Sequence, residues 1–407
     1  MAVLRDAFNG NSSQLRESIC DLAVPIFPYI ITSTPIMDFK TRTLQELRTY
    51  RGSLAQKNAL VGFDGFVDTI VTAVDQRAGQ GDNFTPFAGI AAFGQRILGA
   101  AGKSTNLEFY PRMDKLGGNG PIMGNALLAH GARVTYVGAL GRGNVHPVFA
   151  DFAARARIIS FAEPAHTTAV EFPDGKLMLG TMRSLDEITP ANVTTALGGI
   201  DGYRAALAAS DLVALVNWTM IPNMTAIFTD LVQRVLPALP VRPGRTFFFD
   251  LADPEKRSAA DLVYALETIG QFEQFGRVTL GLNLKEAQQV FVALGFAPIA
   301  ESEAGLRKMS AKIRTRLDLT SVVVHPKESA ACATRDGTWW IPGPYVAQPL
   351  ITTGAGDHFN AGFSAAQLIG CSPEACLGAG VCTSGHYVRT AQSPSMNDLE
   401  TFLANWR

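Results

Sequence analysis

The chain has 407 residues, 47% of them apolar and 17% charged, with a formal net charge of -1. That length can bury one large core or two to three smaller ones, and the near-neutral charge excludes a strong basic field for nucleic acid or an anionic membrane, leaving a small molecule as the expected partner. The five cysteines, Cys20, Cys332, Cys371, Cys376 and Cys382, contain no CxxC pair and read as buried thiols in a reducing compartment.

At the start, charged and polar residues fill positions 5–21, where a secretory leader would place a basic region and an apolar run. The apolar stretch at 22–37 is about 16 residues long and broken by Pro25, Pro28 and Pro35, short of the roughly 20 needed to span a bilayer. A cytoplasmic chain with no membrane or nucleic-acid partner is expected. Residues 1–57 read as an N-terminal extension of unknown role, with helical spacing at Leu44, Leu47 and Leu54, and residues 58–407 as the functional domain.

From Asn58 onward, short apolar runs alternate with helical patterns: 59–63, 134–140, 212–218, 246–251, 278–283 and 321–326. Runs of this length predict a mainly parallel sheet covered on both faces, an α/β fold. The segment 167–182 breaks that rhythm. It alternates with period two around Pro173-Asp174-Gly175 and predicts an antiparallel hairpin. With further strands at 69–74 and 107–113, it predicts a small sheet covering the main domain, whose lid strands lie within about 69–113 and 167–182.

The strongest chemical motif is ITTGAGDHFNAGF at 351–363. Small residues at 354–356 let a ligand approach the backbone, and Phe359 and Phe363, four apart, pattern the following stretch as a helix. A helix N-terminus offers free N–H groups and positive dipole density to phosphate. Asp357 in its first turn could accept the proton of an attacking hydroxyl, or simply cap the helix. Asp64 and Asp68 follow the first core strand, where α/β ligand sites form, and a carboxylate there suits the hydroxyls of a sugar or polyol. Asp250 and Asp253 end another strand, either facing the cleft or capping a helix with Pro254. Arg183, beyond the hairpin, is a candidate for an anionic substrate group, or a solvated surface residue.

TTGAGDHFNAGF resembles the C-terminal signature of the ribokinase-like (PfkB) family of carbohydrate kinases. LGGNGPIMGNALLAHGARVTYVGALG at 116–141 is similar to the family's N-terminal signature, and Asn283-Leu-Lys-Glu286 to its NxxE element. The resemblance covers roughly residues 58–405. It implies a three-layer α/β/α sandwich with a mainly parallel central sheet and a small β-sheet lid, and an ATP-dependent kinase phosphorylating a hydroxyl of a small sugar. By the same resemblance, Asp357 is the catalytic base, and Gly354, Ala355 and Gly356 form the anion hole. Thr352, Thr353, His325 and Lys327 are the nucleotide-side candidates, and Asn283 and Glu286 organise Mg2+ through water with the phosphates. Asp64, Asp68, Gly117, Gly118 and Asn119 bind substrate, with Asp68 favoured over Asp64. A homodimer through the lid is a further expectation.

Two departures stand out. Ile351 occupies the position of an aspartate that helps hold a monovalent cation in the family, so potassium activation by that route is not expected. His325-Pro-Lys-Glu-Ser-Ala330 replaces a Thr-Leu-Gly-x-x-Gly nucleotide loop. The rival readings are a nucleoside kinase, with Phe63, Phe66 or Phe172 around the base, and a sugar-binding regulator that no longer transfers phosphate. Gly102-Lys-Ser104 is not expected to be a P-loop, because Ile97 stands where a glycine is needed and a helical pattern precedes it.

Overall fold

The computed structural model describes residues 38–406. Cys20, the polar stretch at 5–21 and the apolar run at 22–37 lie outside the described residues. In chain order the strands are β1 (Asn58–Phe63), β2 (Phe66–Arg77), β3 (Phe84–Pro86), β4 (Glu108–Gly117), β5 (Arg133–Gly138), β6 (Arg157–Ser160), β7 (Ala165–Phe172), β8 (Gly175–Thr181), β9 (Leu212–Leu215), β10 (Thr246–Asp250), β11 (Arg277–Leu282), β12 (Ser321–Val324), β13 (Ser329–Thr334) and β14 (Gly337–Pro342).

Nine of them form one sheet in the order β14-β13-β12-β11-β10-β9-β1-β5-β6. Every pairing from β6 to β12 is parallel, and the β12–β13–β14 edge is antiparallel. Successive side chains on a strand point to opposite faces, and the strands are apolar on both. Leu60, Val213, Phe247 and Phe249 enter one core with Leu207, Leu266, Val290 and Met309 from covering helices. Ala59, Val61, Ala214 and Phe248 enter the other with Met123, Phe359, Leu377 and Leu399. The protein is thus a three-layer α/β/α sandwich.

The chain leaves β1 towards β5 and β6, then returns to β9 on the other side of β1 and continues to β12. The β1/β9 junction is therefore a topological switch point, and the crevice beyond the carboxyl ends of these strands is where such a sheet receives a ligand.

The helix Phe39–Tyr50 and the turn Arg51–Gln56 fall inside the segment read as an extension. They bury Leu47 and Leu54 in the second core, and Arg42 and Arg48 pair with Glu374 and Glu400 on later helices. The compact unit begins at Asp38.

The lid is a separate five-stranded sheet. β2 pairs antiparallel with β4 and β3 and parallel with β7, and β7 and β8 form the hairpin around Pro173-Asp174. Its own small core holds Val71, Ala73, Phe87, Phe93 and Val170. Phe93 comes from the helix Ile90–Leu98, whose first N–H donates to Asp174 at the hairpin tip. Gly102-Lys103-Ser104 lies in an exposed turn after that helix, not between a strand and a helix as a P-loop requires.

Candidate active site

Asp64 follows β1 directly, and its carboxylate is wholly enclosed. Oδ2 accepts from Asn119 N at 2.8 Å and Asn217 Nδ2 at 2.6 Å, and Oδ1 from Gly120 N at 2.8 Å. Asp64 thereby caps the helix Asn119–His130 from outside, satisfying N–H groups that have no partner within the helix. Gly117 and Gly118 make this approach feasible. A β-carbon on Gly117 would fall on the Asp68 carboxylate, and at Gly118, with φ 95°, a β-carbon would press on Asp64 Oδ2 and the α-carbon of Gly65. Burial pushes the Asp64 carboxyl up to about 6 against the pull of these hydrogen bonds.

Asp68, on β2, is 6% exposed against 0% for Asp64. It sits in register between Lys115 on β4 and Thr167 on β7. Burial raises its carboxyl, while the Thr167 hydrogen bond and the Lys115 and Lys176 ammoniums draw it down. The two aspartates therefore differ in what they can offer. Asp64 is committed to backbone and amide donors, whereas Asp68 belongs to the lid and faces cations.

Residues 351–354 lead into the helix Ala355–Leu368, with Gly354 at its N-cap in the left-handed region, φ 89°. The N–H groups of Ala355, Gly356 and Asp357 follow this cap, and Asp357 occupies the third helical position. Asp357 is buried and accepts from Asn119 Nδ2 at 2.8 Å. Burial, then the Asp64 and Glu286 carboxylates, hold its carboxyl well above the usual range, a state favourable to proton acceptance. His358 steadies the cap: its Nδ1 lies 2.7 Å from Gly354 O, its Nε2 2.9 Å from Ser393 Oγ, and its ring stacks on Tyr387.

A cavity of about 500 Å³ opens beside this helix, lined by Asn119, Asp250, Asn283, Glu286, His325 and Lys327 and by Thr352, Ala355, Gly356 and Asp357 among others. Asn283 and Glu286 form a capping box on the helix Leu284–Ala293, and the second Glu286 oxygen accepts from Asp253 N at 2.9 Å. Asp250 ends β10 and is held by Asn360 Nδ2 at 2.9 Å; burial, then Glu286 and Asp357, raise its carboxyl. His325 stacks on Phe359, and burial lowers its imidazole to about 4. Its Nε2 has no hydrogen-bond partner among the described residues. Ala330, read as the end of a loop, lies in β13, so the connection from β12 is a short turn.

Asp253 lies outside the cavity lining and pairs with Lys285 at 3.1 Å. Arg183 is exposed at the start of the turn Arg183–Glu187 and does not line the cavity. Phe63 and Phe66 are packed in the first core and Phe172 against the lid core.

Sequence reasoning missed Asn217, whose amide reaches Asp64, and it missed Lys115, Lys176 and Tyr387. Lys115 Nζ donates to Tyr387 Oη at 2.8 Å, and that hydroxyl donates to Thr353 O at 2.9 Å. Lys176, just past the hairpin turn, donates to Thr353 Oγ1 and, at 3.4 Å, to Thr352 Oγ1. No spacing rule links these residues, because they meet only when the lid folds over the large sheet.

A family model described as prokaryotic ketohexokinase matches residues 40–406. A ketohexokinase of Haloferax volcanii is 26% identical over 370 residues, covering 89% of this chain and 96% of that protein. Among solved structures, an Arabidopsis thaliana ribokinase complexed with ribose and ATP superimposes with TM-score 0.59 at 16% identity, over 85% of this chain and 98% of its own. A carbohydrate kinase from Agrobacterium tumefaciens gives 0.57 at 19%, over 86% and 97%. A Burkholderia thailandensis nucleoside kinase in complex with inosine gives 0.54 at 16%, over 86% and 98%. At these identities the structural likeness establishes a ribokinase-like fold.

Proposed function

The chain belongs to the prokaryotic ketohexokinase family, and from that premise we propose that this carbohydrate kinase transfers the γ-phosphoryl group of ATP to a hydroxyl of a ketohexose. The observation that carries the reading is Asp357: a buried carboxylate in the first turn of a helix whose N–H groups face a cavity of nucleotide-binding size.

In the proposed reaction the sugar hydroxyl is oriented by Asp68 and by the loop at Gly117–Asn119. Its oxygen forms a bond to the γ-phosphorus as the bond from phosphorus to the bridging oxygen breaks. The hydroxyl proton passes to Asp357, and ADP leaves. The N–H groups at 355–357 stabilise charge on the phosphoryl oxygens, and Asn119 fixes the Asp357 carboxylate. Thr352, Lys327 and His325 line the nucleotide side of the cavity. The lid hairpin over the site limits access of water.

Mg2+ fits the site in one respect. Asp250, Asn283 and Glu286 supply hard oxygen atoms to the cavity, yet among the described residues no three His, Cys, Asp or Glu side chains form a direct cage. That pattern suits an ion that keeps several of its waters. When bound, it would neutralise phosphate charge. Exposed Met113, Met178 and Leu179 on lid strands are consistent with a homodimer through the lid. Among the described residues no helix is long and apolar enough to cross a membrane.

A coupled ATP-consumption screen across ketohexoses, aldohexoses, polyols, sugar phosphates and nucleosides tests this function. We expect substrate-dependent turnover with a ketohexose. Preferred turnover of a nucleoside would contradict it.

A further inference from the structure

We propose that Lys176 is a catalytic residue: with sugar and nucleotide bound, its ammonium pairs with the oxygens of the migrating phosphoryl group. This inference rests on the kinase reading above and adds a group from the lid to the chemistry.

The first argument is position. Lys176 is the second residue of β8, immediately beyond the hairpin turn, and its side chain crosses from the lid to the large domain. Both hydroxyls it meets, on Thr352 and Thr353, precede the Gly354 cap of the N–H cradle. A phosphoryl group in that cradle would lie beside the ammonium. Its present partners are neutral hydroxyls, and an anionic phosphoryl oxygen would add charge–charge attraction to the hydrogen bond, so the exchange of partners is favourable when the phosphoryl group arrives.

The second argument is charge. Asp250, Glu286 and Asp357 line the cavity, Asp64 lies just behind, and Lys327 is the one lysine or arginine among the cavity's lining residues. A triphosphate entering such surroundings needs positive charge near its terminal phosphate. Lys176, which lies outside that lining and reaches Thr352 and Thr353 from the lid, supplies it.

The third argument is the division of labour between two lysines. Lys115 is half-buried and tied to Tyr387, whose hydroxyl holds Thr353 O. It therefore positions the strand of chain before the cradle. Lys176 is exposed and held only by the two threonine hydroxyls among the hydrogen bonds of the described residues. The charged groups facing it are Glu171, its register partner on β7, together with Asp68 and Lys115. With Lys176 on the hairpin, lid closure delivers a cation as well as excluding water, and an open lid lacks both.

The test compares native protein with Lys176→Met and Lys176→Arg, reading kcat and KM for sugar and ATP, with sugar Kd by titration calorimetry and folding by circular dichroism and melting temperature. Loss of one such donor predicts a fall in kcat of about 10²–10³ for Lys176→Met, with sugar Kd changed less than about threefold and the arginine variant within about tenfold of native. Lys176→Gln repeats the measurement if the methionine variant melts early. Native kcat in Lys176→Met, or a loss confined to sugar KM, overturns the inference, the latter by making Lys176 a substrate-recognition residue. Absence of any sugar turnover in the native protein overturns the kinase reading itself, a result distinguishable from the others.

Discussion

The two sheets are built to different standards of burial and bring different groups to the site. The large sheet is enclosed on both faces; β9 and β10 are buried along their whole length. Its carboxyl edge presents Asp64, Asp250, Glu286 and Asp357, each held by backbone or amide donors. The lid has a core of a few side chains, leaves half of β4 and most of β8 exposed, and contributes Lys115 and Lys176. The difference teaches how the work is divided. The proposed base and the N–H groups at 355–357 belong to the enclosed part of the structure, while Lys115, Lys176 and Asp68 ride on the part that costs least to move.

Removing the proposed base is the strongest challenge to this division. Asp357→Asn keeps the shape and the helix start but cannot take a proton, and a fall in kcat of about 10²–10⁴ is expected in the coupled assay. Next in size is the lid core. Phe93→Ala should cost about 3–5 kcal/mol of lid packing, read as lost hydrogen-exchange protection on β2, β4 and β7 with the large sheet unchanged; equal loss in both sheets would show that the lid is not a separate unit.

The paired aspartates sharpen the comparison further. Asp68→Asn should raise sugar KM by about 10- to 100-fold with little change in melting, the worth of a hydrogen bond to a charged group. Asp64→Ala should cost about 1–3 kcal/mol of stability, because it leaves buried donors without an acceptor. Its pH dependence has a definite sign. The folded carboxyl titrates at about 6 rather than 3.8, so its stabilising contribution is full below 3.8 and declines as pH rises to about 6. The gap in melting temperature between native protein and Asp64→Ala should narrow over that interval.

The smallest effect concerns the acid limb of the rate profile. Asp357 must be ionised to act as base, and its carboxyl is held above the usual range. Lowering pH should therefore reduce kcat/KM at a higher pH than an exposed aspartate would give. A profile flat down to pH 4 would contradict this placement.

Much of the large sheet was legible because buried parallel strands leave unbroken apolar runs; β1, β5, β10, β11 and β12 all fall on them. The run at 212–218 ended earlier than expected, at Leu215, since Asn217 adopts φ 62° and turns its amide to Asp64. β6 is a four-residue edge strand, and β13 is rich in alanine with little β propensity, so neither announced itself. The hairpin and the helix at Asp357 were readable from turn residues and spacing. Asn119 was legible as part of a substrate loop, but not as the amide that bridges Asp64's helix cap to Asp357. Lys115 and Lys176 carried no signal, because their significance depends on two sheets meeting through side chains far apart in sequence.

The central claim, phosphoryl transfer to a ketohexose with Asp357 as base, is tested most directly by phosphorus NMR of native protein and Asp357→Asn incubated with ATP, Mg2+ and a ketohexose. We predict a new phosphomonoester signal growing with ADP in the native sample and at least about a hundredfold slower growth in the variant. The same growth rate in both would contradict the account.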